Sequence, residues 1–194
     1  MKFRHLLLIL FSFLCLQNSA QNNKVLLEET ITNIVVAFKD KNAKIINNYT
    51  SKENGITILV RYGALDNYRT ISSINFKNPI PNYLPYTEPI SSTKISYNKP
   101  PKFDCNTYSW SKKGLFCDTI QKSTLFTNTI KNLKYELTSQ TYAKELKRAL
   151  ELEKNSYRIV LVDDNNEDLI FFLSYIDDKW ILTLIDRVTT DCCA

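Results

Sequence analysis

The chain holds a single histidine, His5, and a single methionine, Met1, and both lie in its first twenty residues. That segment runs from a basic start, Lys2 and Arg4, through Leu6–Leu16, broken only by Ser12, to the polar step Gln17-Asn18-Ser19-Ala20. The order predicts a secretory signal peptide cut between Ala20 and Gln21. Cleavage would leave a mature chain, 21–194, without histidine. A Ser-His-Asp triad, a Cys-His pair and a His-ligated zinc site cannot then be assembled. Acid–base work would fall to carboxylates, tyrosines and lysines.

Among those groups Asp186 stands out, because its neighbours Leu184 and Ile185 are apolar and place a carboxylate on a strand otherwise bound for the core. Tyr83, Tyr86 and Tyr97 are interleaved with the six prolines, all of which fall between Pro79 and Pro101. They could form an aromatic rim for a ligand or a peptide, or simply pack a Pro-pinned loop on the domain. In the densest polar run, Asp163-Asp164-Asn165-Asn166-Glu167-Asp168, the alternate spacing mimics a calcium loop. It fails where that loop needs glycine at position 6 and glutamate at position 12, which here are Asp168 and Ser174. A solvated turn is the better reading. The Asn48-Tyr49-Thr50 sequon fits chance in an Asn-rich chain.

Four cysteines follow the predicted cleavage site: Cys105, Cys117, Cys192 and Cys193. They allow three pairings. Cys105 and Cys117 flank Trp110 and Gly114, which suit a hairpin, and a bridge between them is predicted to contribute about 3 kcal/mol. Cys192 and Cys193 are adjacent and terminal, where a vicinal ring would be strained and chains usually fray. They are expected to matter little for folding. Cys15 follows the bulky Leu14 and so does not suit a lipobox, and the predicted export excludes prenylation of the Cys-Cys-Ala end.

Composition bounds the rest. Residues 21–194 suffice for one domain burying roughly 70% of its unfolded surface. The net charge of +5 falls to +3 without Lys2 and Arg4, and the basic residues are spread along the chain. No nucleic-acid partner is expected, since such binding needs a concentrated basic patch. The apolar run of the signal is shorter than the roughly 20 residues that span a bilayer. The expected product is secreted or periplasmic and not membrane-spanning, with no cofactor and no metal site.

The elements that must position these groups follow from periodicity. Leu27, Ile31, Ile34, Val35 and Phe38 form one helical stripe over 24–38. Asp40 suits the cap of a short second helix with Ala43, Ile45 and Ile46. Ile56–Val60 reads as a strand, Gly63 as a turn, and Tyr68–Phe76 as a weaker strand. Proline confines residues 77–104 to an excursion or a sheet edge, with a short strand near Lys94–Tyr97. Residues 123–137 and 140–154 read as helices, the second with Tyr142, Leu146, Ala149 and Leu150 on one face. Arg158–Val162, Leu169–Ile176 and Trp180–Asp186 close the chain as strands, the last two joined by a tight turn at Asp177-Asp178-Lys179.

The order of a long N-terminal helix followed by a closing meander resembles the cystatin-like α+β fold. Leu169–Ile176, the turn, then Lys179-Trp180 and an alternating strand resemble the end of nuclear transport factor 2-like domains, and a set of exported bacterial proteins with a short Cys-containing tail. The resemblance implies an α+β cone, with the long helix packed on a curved antiparallel sheet. It fixes no activity. The function read from these features is an exported, non-enzymatic domain that binds a small apolar ligand or a protein partner. The rival is a cavity enzyme that moves a proton between a carboxylate and a tyrosine.

Overall fold

The computed structural model describes residues 2–89 and 94–192, with side chains described from Gln21 onward. Helix α1 (Lys2–Lys39) and the short α2 (Ala43–Asn47) lead into the hairpin of β1 (Ile56–Tyr62) and β2 (Leu65–Ile71). The excursion holds β3 (Ile95–Ser96), and a small separate hairpin follows as β4 (Phe103–Asp104) and β5 (Ser109–Trp110). Then come β6 (Gly114–Asp118), α3 (Leu125–Asn132), α4 (Ser139–Lys154), β7 (Ser156–Val162), β8 (Asp168–Ile176) and β9 (Lys179–Asp186).

Seven strands form one sheet in the order β2-β1-β9-β8-β7-β6-β3. It is mostly antiparallel, as expected for an α+β chain, but β1 lies parallel to β9 and β3 parallel to β6. Within the proline stretch only β3 joins the sheet, as an edge strand, and the prolines on either side of it stay out of the ladder. The predicted second strand starts earlier than its pattern suggested. Gly63, with φ +76°, makes a two-residue turn that lets Leu65 pair directly with Tyr62.

Both faces of the sheet are covered. The α1 stripe of Leu27, Ile31, Ile34, Val35 and Phe38 packs on Ile58, Val60, Ile159, Leu161, Phe171 and Leu173. On the opposite face α3 and α4 bring Phe126, Ile130, Ala149 and Leu152 onto Leu59, Phe172 and Leu184. The β4–β5 hairpin extends that second layer, seating Trp110 and Phe103 on Val160, Val162 and Ile170. Leu150, expected on the inner face of α4, is exposed; Leu152 takes the buried place.

A bulge reshapes the last strand. Phe172 pairs with Leu184 but Leu173 pairs with Leu182, so Thr183 is the extra residue. The side chains flip there: Trp180 and Leu182 face α1, while Leu184 faces α3 and α4. Strict alternation from Trp180 would have put all three on one face. The turn before it uses Asp177 and Asp178 with φ of 48° and 59°, the primed geometry that two-residue hairpins favour.

The excursion is clamped to the domain. Arg187, just after β9, donates Nη1 to the carbonyls of Ile80 and Leu84 and Nη2 to that of Pro85. Its guanidinium lies 4.9 Å from the Tyr86 ring centre. Tyr86 in turn packs edge-on against Phe38 and Phe76.

Candidate functional site

The structure puts the four residues singled out for binding in three places. Tyr83 lies on the surface, 67% exposed, with its hydroxyl 3.4 Å from the Arg61 carbonyl. Tyr86 and Asp186 line one small cavity together. Tyr97 lines a different cleft beside the start of the described side chains of α1.

That cleft has a volume of about 460 Å³ and is lined by Asn23, Lys24, Leu27, Tyr97, Thr119, Tyr157 and Trp180. Its aromatic wall follows from strand geometry. Tyr157 on β7 and Trp180 on β9 point to the α1 face, and their ring centres stand 5.2 Å apart. Trp180 is itself fixed by its indole N–H, which donates to the backbone and side-chain oxygens of Asn23 at 3.2 and 3.0 Å. Tyr97 donates its hydroxyl to Glu28 at 2.9 Å and lies under the Lys24 ammonium. Burial and the adjacent Glu28 carboxylate raise the Tyr97 pKa, so this hydroxyl stays protonated across the physiological range. The wall offers flat apolar surface with few polar groups, the general character of a small-molecule site.

The second cavity is tighter, about 120 Å³, and is lined by Leu84, Tyr86, Thr87, Asp168, Leu169, Ile170, Ile185, Asp186, Arg187 and Thr190. Two carboxylates and a tyrosine line it together. The Tyr86 hydroxyl is buried and makes no hydrogen bond of ordinary geometry, although the Ile80 backbone lies close to it. Asp168 accepts from the Trp110 indole at 3.2 Å. Burial pushes the Asp168 carboxyl up to about 6, against the pull of Trp110; Asp186 adds to the rise, while Arg187 and Arg158 oppose it. The sequence pattern places Asp168 in a solvated turn, but the turn proper ends at Glu167 and Asp168 opens β8. There Asp163 holds the hairpin by accepting from the amides of Asn165 and Glu167.

A carboxyl raised by burial destabilises the fold only when ionised. The penalty is absent below the ordinary Asp range, grows as pH rises through it, and is complete above about 6. Asp168→Asn removes it. We expect the variant to gain about 3 kcal/mol over the parent at pH 7 and nothing near pH 3. Urea melts across that range check this; a difference that stays constant with pH would contradict the assignment.

The cysteines correct the sequence reading. Cys105 pairs with Cys192, 87 residues away, and not with Cys117. Cys117 is a buried free thiol whose pKa burial pushes up to about 12. The reason is facing: Cys117 on β6 points into the core under α1, while Cys105 sits on the hairpin that packs on the opposite face. The tail is therefore tied down, with Arg61 also donating to the Asp191 carbonyl. Cys193 lies outside the described residues.

Among the described residues no group of three or more His, Cys, Asp or Glu could hold a metal ion, and no helix is long and apolar enough to cross a membrane. Compared with known proteins, the chain matches no family model, no curated protein and no solved structure.

Proposed function

We propose that this chain is an exported binding domain whose ligand is a small molecule with a flat apolar face, held in the cleft of Leu27, Tyr97, Tyr157 and Trp180. The observation that carries the reading is the cleft itself: about 460 Å³, within the range of small-molecule sites, with aromatic rings forming its wall. Export is supported by the order of residues 1–20 and by the Cys105–Cys192 disulfide, a bond of oxidising compartments. The cystatin-like, nuclear transport factor 2-like reading is supported by α1 lying across the antiparallel β6–β9 strands. The layer of α3 and α4 over the other face moves the ligand seat from an open sheet to this rim. Titration with the neutral fluorophore N-phenyl-1-naphthylamine tests the proposal. We expect saturable binding that weakens about tenfold in Tyr157→Ala, the loss of roughly 1.4 kcal/mol of stacking. Equal affinity in parent and variant would sink it.

One observation favours the rival. Asp168 and the buried Tyr86 hydroxyl line one cavity, and a proton-transfer site needs a carboxylate and a tyrosine within reach of one substrate. Its volume of about 120 Å³ admits only a few heavy atoms unless the 84–87 segment moves. Turnover of any small carbonyl or hydroxyl compound abolished by both Asp168→Asn and Tyr86→Phe would replace the binding reading with this one.

A further inference from the structure

We infer that a second cleft, formed by the 99–102 segment, the 118–124 loop and β7, binds the phosphoryl or sulfuryl group of a small molecule. It has a volume of about 370 Å³ and is lined by four cations, Lys99, Lys102, Lys122 and Arg158, against one carboxylate, Asp118. Asp118 is already engaged, its Oδ1 accepting from the amides of Ile120 and Gln121. Even with the buried Asp186 that pairs with Arg158 counted beside Asp118, the four cations leave an excess of positive charge in a concave site, where low-dielectric walls strengthen its field.

Arg158 is set in place from beneath. Its Nη2 donates to Asp186 Oδ2 and to Thr189 Oγ1, both at 3.2 Å. The Asp186 side chain is fully buried, and its other oxygen accepts from the amides of Val188 and Thr189. One edge of the guanidinium is thereby fixed, while Nε and Nη1 have no hydrogen-bond partner among the described residues. Those are the donors that a tetrahedral oxyanion takes in pairs. Asp186, at the end of β9, becomes a positioning residue for Arg158 rather than a ligand contact. Lys122 is held over the Tyr157 ring at 5.0 Å. Pro100 and Pro101 stiffen the segment that carries Lys99 and Lys102, neither of which has an ion-pair partner among the described residues.

The helix α3 that opens beside the cleft does not supply the attraction. Its first amides are occupied: Leu125 donates to Ser123 Oγ, and Phe126 and Thr127 donate to the buried Glu153 carboxylate. The site depends on the side-chain cations.

The inference is independent of the aromatic cleft, and its test uses different probes. Calorimetric titration of the whole chain with inorganic pyrophosphate should show saturable binding that weakens as salt rises. Arg158→Gln should weaken it about tenfold and Lys102→Gln several-fold. Lys102 is exposed, so its variant remains informative if Arg158→Gln fails to fold. Parallel titrations with a hexose phosphate and a hexose sulfate separate the two ester classes: preference for either identifies the group. No saturation up to about 10 mM, or affinity untouched by both substitutions, would overturn the inference.

Discussion

Cys105→Ser should lower the unfolding free energy by about 4.5 kcal/mol, the chain-entropy cost of releasing a loop of 87 residues. Cys105 is the informative partner to replace. Cys192 has Cys193 beside it, so removing Cys192 alone leaves a neighbouring thiol that can take its place. The loss should appear as a lower urea midpoint under non-reducing conditions, and dithiothreitol should bring the parent to the same midpoint. Reduction should add nothing to the variant. A shift below about 1 kcal/mol would contradict the chain-entropy account of this bridge.

Trp180→Ala should cost about 3–5 kcal/mol, the range for truncating a large buried aromatic. Trp180 is 7% exposed, belongs to the core beneath α1, and stacks with Tyr157 and Tyr175 at 5.2 and 5.1 Å. The variant also leaves the Asn23 oxygens without their indole donor. Trp180→Phe separates the two effects, because it keeps an aromatic ring but removes the N–H; it should cost about 1–2 kcal/mol. Thermal melting without ligand reads both. If Trp180→Ala leaves the melt unchanged while abolishing fluorophore binding, the residue serves the cleft and not the core.

What could be read from the sequence was local. The meander from Arg158 to Asp186 is legible because β-branched runs and an Asp-Asp turn specify strands and their connection at short range. The α1 stripe is legible because five apolar side chains keep helical period. The bulge at Thr183 leaves no such mark, and strict alternation from Trp180 would turn Leu184 to the wrong face. The disulfide was misassigned because spacing favours the nearer cysteine, whereas the face to which β6 turns Cys117 decides the pairing. The basic cleft was invisible for a related reason: Lys99, Lys102, Lys122 and Arg158 come from three separate segments and look like scattered surface charge until the sheet gathers them. Asp168 did carry a signal, since it stands directly before the apolar Leu169–Leu173 run, but it was counted with the turn that precedes it.

Strand β9 is the last strand in the chain, yet it stands between β1 and β8. In a polypeptide emerging amino-terminus first, the two parts of the sheet cannot be hydrogen-bonded into one until this strand arrives. Until then the β1–β2 hairpin and the β6–β8 ladder each carry an open edge, and the long-range parallel pairing of Thr57–Leu59 with Leu184–Asp186 cannot form. The order of synthesis thus delays closure of the sheet until β9 has been made. The cross-link from Cys105 to Cys192 then works as a seal, available only once Cys192 has followed β9 into place.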